Sequence, residues 1–258
     1  MPGKTAAERF DETAHNYATS SHHVGGRSLE RMLEVAEPTP EMLVLDLAAG
    51  TGHTTAAFAP RVKRVVAYDP APRMLAETEK LLGERQLQNV VIRRGLAEQI
   101  SFEDETFDLV VSRLAPHHFE GIEKALREMA RVTKRGGKVL VSDLAGFEDP
   151  EVDEFNHSLE MLHDPTHVGS YTPERWRGIF AQAGLEVFHE EQFFEPPQGL
   201  LVSEWCRVAQ TPADSVLEII GRCLEAPTKI RDALGIAKEG DDLRMRARRI
   251  ELIGGIKK

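Results

Sequence analysis

The residues of this chain with the clearest chemical potential are acids at the ends of apolar runs and the glycines that follow them. Leu43 to Leu47 is apolar except for Asp46, too short for a helix and suited to a strand buried on both faces. Gly50 and Gly52 come next. Two glycines so closely spaced let the chain turn sharply and let a ligand lie on the backbone. The stretch Thr54 to Ala59 then starts like a helix whose free N–H groups face that ligand. This spacing predicts a nucleotide-type binding turn. A dinucleotide fingerprint would need a third glycine where Thr55 stands, and no Gly-Lys-Ser/Thr follows to make a Walker loop. An ordinary tight turn between strand and helix is the alternative at this point.

A second acid adds weight. Arg64 to Tyr68 reads as another strand and ends at Asp69-Pro70, about 20 residues after the glycines, where a carboxylate can take both hydroxyls of a ribose. Asp69 could also cap the helix expected from Ala71 to Leu82. A third group, Arg113, His117 and His118, follows the strand Phe107 to Ser112. In open α/β sheets ligands bind beyond the carboxyl ends of the strands, where strand order reverses. A neutral imidazole titrates near physiological pH, which makes His117 and His118 the base candidates. Capping the next helix and plain surface exposure are their other readings. His163, Asp164 and His167 invite a metal interpretation, yet Pro165 breaks the helical spacing that would align the histidines and only one carboxylate is near. No metal is expected; Asp164 reads as a turn former and His167 as a lid contact.

The elements that must position these groups follow from periodicity. Met1 to Ala36 reads as helical in two pieces separated by Gly25-Gly26, with Phe10, Ala14 and Tyr17 on one face, where Tyr17 could be simply a core residue. His15, His22 and His23 are expected at the surface. A helix over 71–83 ended by Gly83, a strand over 89–93 and a polar loop over 101–106 precede the fourth strand. Ile122, Ala125, Leu126, Met129 and Ala130 form a helical stripe, with Lys134, Arg135 and Gly136 expected to close that helix. A fifth strand spans 139–144. From 148 to 169 the regular pattern breaks into what looks like a substrate-covering insertion. Thr172-Pro173-Glu174 starts a helix that ends at Ala183-Gly184, and Leu185 to Phe194 is the sixth strand. A mostly helical run over 200–234, broken at Thr211-Pro212 and Pro227, leads to a last strand, Leu243 to Ile256, returning antiparallel. Its arginines, Arg244, Arg246, Arg248 and Arg249, are expected on solvent-facing positions rather than in an anion patch. The series is a continuous βαβ succession, for which right-handed crossovers leave little topological freedom.

Composition bounds the reading. The chain has 258 residues, 41% hydrophobic and 29% charged, enough for one α/β domain with an elaboration. Its net charge of −10 opposes a phosphate backbone, so no nucleic-acid partner is expected and small neutral or cationic substrates are favoured. Cys206 and Cys223 read as buried small hydrophobes in a reduced, cytoplasmic setting. No apolar run approaches the ~20 residues of a membrane span.

Taken together, Leu45-Asp46-Leu47-Ala48-Ala49-Gly50-Thr51-Gly52, Tyr68-Asp69-Pro70 with Met74, Gly95-Leu96-Ala97-Glu98, Phe107 to Ser112, and Lys134 to Lys138 resemble a class I S-adenosylmethionine-dependent methyltransferase, in the branch around the ubiquinone and menaquinone C-methyltransferases. The resemblance runs from about Phe10 to Phe194. It implies a Rossmann-like three-layer α/β sandwich, with a mostly parallel seven-stranded sheet, an antiparallel last strand and a helical cover. It implies an enzyme that binds S-adenosylmethionine, releases S-adenosylhomocysteine and methylates a small molecule by in-line displacement. The cofactor contacts it implies are Tyr17 at the methionine end, Asp46, Ala48, Gly50, Gly52, Asp69, Met74 and Arg113. Where the family usually carries an acid in its third motif this chain has Leu96, so Ala97 and Glu98 are the implied adenine contacts. The same resemblance sets the strand-order reversal between the first and fourth strands, so that Arg113, His117 and His118 face the reaction centre. The expected organisation is a helical lid over 1–36, a cofactor-binding core over 37–195 with its insertion at 148–169, and a cover with the last strand over 196–258. Alternatives are a quinone-precursor C-methyltransferase specifically and a non-catalytic cofactor-binding protein. A nicotinamide oxidoreductase is disfavoured by the missing glycine and the absence of a Tyr-x-x-x-Lys pair after the fourth strand. Oligomeric state is left open.

Overall fold

The computed structural model describes residues 4–19, 24–246 and 248–258, so the surface expectation for His22 and His23 lies outside the described residues. At its centre is a seven-stranded sheet of order β3-β2-β1-β4-β5-β10-β6. Its members are β1 (Leu43–Leu47), β2 (Arg64–Asp69), β3 (Val90–Arg94), β4 (Phe107–Arg113), β5 (Thr133–Leu144), β6 (Leu185–Glu195) and β10 (Arg248–Lys257). β1 pairs in parallel with both β2 and β4, and β10 runs antiparallel between β5 and β6. Side chains alternate across the pleat. Val44, Leu109, Leu140 and Leu252 join one buried cluster, and Leu45, Val110, Val141 and Ile253 join the other. Strands apolar at every position therefore have a layer on each face. Met32 and Ala36 of α2 (Arg27–Ala36) and Phe58 of α3 (His53–Phe58) cover the first face. Leu126 and Met129 of α5 (Ile122–Val132), with Trp176 and Phe180 of α7 (Pro173–Gln182), cover the second. The expected three-layer sandwich with an antiparallel last strand is what forms.

Several boundaries differ from the sequence expectation. Gly83 lies inside α4 (Pro72–Glu84) rather than ending it. Lys134, Arg135 and Gly136 do not close α5: β5 begins directly at Thr133. Lys134 Nζ meets Asp108 Oδ1 at 2.7 Å, and the β4–β5 register shifts between Phe107 and Leu109 around Gly136 at φ +77°. A bulged strand entry has taken the sequence that resembled a helix C-terminus. The broken segment 148–169 contains a full helix, α6 (Pro150–His163), whose first turn is capped by Asp149. The single last strand is in fact two. β9 (Asp242–Met245) pairs in a small sheet with β7 (Leu200–Leu201) and β8 (Ala237–Glu239), and only β10 enters the large one. Between them Arg246 N turns to the carbonyls of Leu234 and Gly235, which interrupts the ladder.

α1 (Ala6–Thr19) lies across the sheet's carboxyl end, where Ala14 packs on Ala71 and Met74 of the β2–α4 corner. α2, its neighbour in the expected 1–36 lid, is built into the sandwich instead. α6 packs with α8 (Val202–Ala209), α9 (Ala213–Glu225), α10 (Thr228–Leu234) and the small sheet in a separate cluster holding Leu159, Trp205, Ile219 and Leu243. Cys206 and Cys223 are buried there as free thiols, pushed up to about 11 by burial. Among the described residues no helix is long and apolar enough to cross a membrane.

Candidate active site

A cavity of about 710 Å³ opens at the carboxyl ends of β1 to β4, under α1 and beside α6 and α8. Such a volume is in the range of small-molecule sites. The turn after β1 forms one wall. Ala48, Gly50 and Gly52 all take left-handed backbone conformations, at φ 56°, 54° and 82°. A Cβ on Gly52 would stand 2.7 Å from the Thr78 methyl, which is why the second glycine is required there. Thr78 Oγ1 donates to the Gly50 carbonyl at 2.7 Å, pinning the turn to α4.

Asp69 joins this turn to the end of β2. Its Oδ2 accepts from Gly50 N and its Oδ1 from Ala71 N, each at 2.9 Å. It therefore shapes the approach to α4 without capping it, since the N-cap is Ala71 with no side-chain cap, and it borders the cavity as well. Each oxygen keeps a further acceptor site for a ligand hydroxyl. Burial pushes Asp69 up to about 6, with the Ala71 and Gly50 amides acting the other way. Asp46 and Gly52 do not border the cavity. Asp46 is buried behind the wall, accepting from Thr55 Oγ1 at 2.6 Å, and burial raises it to about 7. These two residues build the turn from behind.

Met74, Leu96, Ala97 and Glu98 line the same end, with Leu96 exposed beside Ala97. Phe10 and Tyr17 of α1 close it from above, their rings 5.3 Å apart edge to face. Burial raises the Tyr17 hydroxyl above the usual range. α1 is held down by Arg9, which meets Asp164 at 2.8 Å and donates to the Ala209 carbonyl at 2.9 Å, and by Asp11, which accepts from Arg73 N at 2.6 Å. His15 is exposed, facing Glu77 at 3.7 Å.

Arg113, His117 and His118 occupy the middle of the cavity. Arg113 Nε donates to Thr54 Oγ1 at 3.0 Å and its Nη1 to Ser28 Oγ at 3.1 Å. After it, Leu114 at φ 52° bends the chain toward β5, where its N–H meets the Ser142 carbonyl at 2.8 Å. That bend delivers His117 onto Asp143, near the end of β5. Asp143 accepts from His117 N at Oδ2 and faces Nδ1 at Oδ1, both at 2.6 Å. With Asp143 ionised, Nδ1 donates to the carboxylate and Nε2 is left as the acceptor. Burial pushes His117 down to about 3 and Asp143 up to about 7. His118 donates from Nδ1 to the Thr166 carbonyl at 3.0 Å, and its ring lies 4.0 Å from that of His117. Neither histidine is a surface residue.

Beyond them the cavity continues between Glu160, His163, His167, Trp205 and Arg248. His163 stacks on Trp205 at 4.0 Å. Asp164 accepts from Thr166 N at 2.9 Å, the turn its sequence predicts, and His167 borders the cavity. No group of three histidines, cysteines or acids among the described residues is placed to hold a metal ion.

Arg248 corrects the reading of the arginine run: it points inward. Asp143, Glu160, Trp205 and His53, which also line or border the cavity region, were not singled out from sequence. Asp143 had a usable signal, since β1, β2 and β5 all carry an acid at or near the carboxyl end of an apolar strand. Glu160 and Trp205 had none, because their helices belong to the cover and only its packing turns them inward.

Comparisons with known proteins agree with this geometry. Residues 45–141 match the family model described as "Methyltransferase domain". The chain is similar to a Bacillus subtilis protein named as the uncharacterized methyltransferase YcgJ, 34% identical over 227 residues, covering 88% of each chain. Its crystal structure superposes with a TM-score of 0.83 at 33% identity, over 90% of this chain and 98% of that one. A ubiquinone/menaquinone biosynthesis C-methyltransferase from Hydrogenovibrio crunogenus is 34% identical over 55% of this chain and 59% of its own length.

Proposed function

The chain belongs to the S-adenosylmethionine-dependent methyltransferase family, and from that premise we propose that it methylates a small molecule held in the inner half of the cavity, with His117 as general base. The observation that carries this reading is the His117–Asp143 pair, buried at the middle of one continuous cavity whose outer end is the β1 turn and Asp69. The outer end fits the cofactor. The left-handed turn at Gly50 lets a ligand approach the backbone, Asp69 keeps acceptor sites for ribose hydroxyls, and exposed Leu96 beside Ala97 offers an apolar shelf for a base. Tyr17, Ala48, Met74 and Glu98 complete that end, with Arg113 at its inner border.

S-Adenosylmethionine supplies an electrophilic methyl group on a sulfonium and leaves as S-adenosylhomocysteine. This chain's residues do the rest. Arg113, held by Thr54 and Ser28, keeps a fixed positive charge at the border of the two halves. α1 and α6 exclude water, so that positioning supplies much of the acceleration. His117 is neutral at physiological pH and has Nε2 as its acceptor. It removes the proton that an oxygen or carbon nucleophile must lose, while Asp143 stabilises the imidazolium that forms. α1 acts as the lid, 37–195 as the cofactor-binding core, and α6 with α8 to α10 as the cover.

The quinone-precursor reading is narrower. It draws on relatives that either match little more than half of this chain or, over 81% of it, are 27% identical, and no residue of the inner cavity selects it. The test is incubation of the purified protein with methyl-labelled S-adenosylmethionine and small-metabolite pools. Label is expected in a low-molecular-weight compound, with formation of S-adenosylhomocysteine. Cofactor binding without transfer to any pool would favour the non-catalytic reading.

A further inference from the structure

β10 runs against its neighbours, so it enters the sheet from the side where the parallel strands end, and its first residue, Arg248, stands over the ligand crevice. The other arginines of that run are engaged outside. Arg244 pairs with Glu239, Arg249 meets Glu148 at 2.6 Å, and Arg246 lies 5.2 Å over the Phe194 ring. Arg248 instead lines the cavity, with its Nε buried and without a hydrogen-bond partner.

Of the acids nearby, Glu195, the partner of Arg248 across the β10–β6 ladder, receives the Ser28 N–H at 3.2 Å. Asp143 accepts the His117 backbone N–H at Oδ2 and holds its Nδ1 at Oδ1, both at 2.6 Å, and Asp164 meets Arg9 at 2.8 Å. Glu160 faces His163 at 3.8 Å; the Arg248 charge acts on both Glu160 and Asp143, but the Arg248 Nε forms a hydrogen bond to neither. A buried guanidinium N–H without a hydrogen-bond acceptor is costly. Its fork is shaped for a planar oxyanion bound through two parallel N–H bonds.

We propose that Arg248 is the recognition residue for a carboxylate on the methyl acceptor, anchoring that group at the inner end of the cavity so that the accepting atom lies beside His117. This rests on the reading of the cavity as a methyltransferase site. It also reverses the expectation from net charge. The acidic chain as a whole repels anions, but a single enclosed cation decides what is held once inside. The acceptor class is therefore a small organic acid rather than a neutral or cationic compound.

The test uses the full chain saturated with S-adenosylhomocysteine, and calorimetric titration of benzoate against its uncharged isostere benzamide. Wild type is expected to bind benzoate at least tenfold more tightly than benzamide. Arg248→Met should lose that preference and Arg248→Lys should keep part of it, with S-adenosylhomocysteine affinity unchanged in both as the control for folding. Equal binding of benzoate and benzamide by wild type, no benzoate binding at all, or an undiminished preference in Arg248→Met overturns the proposal. Failure of wild type to bind S-adenosylhomocysteine would instead overturn the underlying reading of the site.

Discussion

At the scale of single residues, two side chains carry opposite halves of the proposed reaction. Asp69 holds the β1 turn and, in this reading, the ribose. Two hydroxyl bonds to a carboxylate contribute about 1.5–3 kcal/mol each, so Asp69→Ala should weaken S-adenosylmethionine binding at least tenfold by calorimetry. An unchanged constant would remove Asp69 from the cofactor site. His117 acts on the other partner. His117→Ala should lower kcat by roughly 10²–10⁴ while cofactor affinity stays near wild type, and by more than His118→Ala does. His118 has its Nδ1 on the Thr166 carbonyl rather than on a carboxylate. The pH profile separates the pair's members. Burial raises Asp143 to about 7, so its carboxylate fraction grows as pH rises through 7, and kcat should climb over the same range to a plateau. In Asp143→Asn that climb should be absent. A wild-type profile flat from pH 5 to 9 would show that the dyad does not carry the proton.

At the scale of elements, α1 and α2 are adjacent in sequence but have different roles. α1 rests on the cavity rim through the Arg9–Asp164 pair and a small apolar cluster, whereas α2 buries Met32 and Ala36 against the sheet. Hydrogen exchange over 6–19 should slow when S-adenosylhomocysteine is added, while 27–36 is already protected without it. Equal protection of both without ligand would count against a moving lid. β10 carries a second, independent feature. Glu251 is buried in mid-strand with Gln192 donating to one oxygen at 2.7 Å and the other oxygen unpartnered. Burial raises it from 4.5 to about 7. A carboxyl whose folded pKa lies above its unfolded one stabilises fully below about pH 4.5, and that contribution is lost as pH rises through 7. Glu251→Gln avoids the loss. The variant should melt a few degrees above wild type at pH 8, at roughly 2–4 °C per kcal/mol, and level with it at pH 4.5.

At the scale of the whole molecule, the three large apolar clusters among the described residues divide the work. Two lie on the faces of the sheet, and the third belongs to the cover and shares no residue with them. The inner half of the cavity therefore has a wall whose stability is partly its own. Ile219 is fully buried in that third cluster, and Ile219→Ala should remove about 2–5 kcal/mol of packing. Limited proteolysis should then cut faster within 202–234 while S-adenosylhomocysteine affinity stays within twofold of wild type. Loss of cofactor binding in this variant would mean that cover and sandwich unfold as one cooperative unit.

The turn that frames the outer half of the candidate site was legible in the sequence because it is made by local geometry. Asp46, Gly50, Gly52 and Asp69 belong to a strand, the turn after it and the end of the next strand. Their spacing constrains the backbone whatever surrounds them, and parallel strands with right-handed crossovers then bring the turns to one edge. The inner half depended on contacts between segments far apart in the chain. His117 was visible as a candidate, but its tautomer depends on Asp143 of a different strand, and a positive φ at Leu114 aims it there. Arg248 sits in a run whose alternation reads as solvent-facing. Its inward aim was decided when the ladder broke at Arg246 and β10 left the small sheet for the large one. Periodicity says which residues share a face, and only the tertiary partner decides what that face meets.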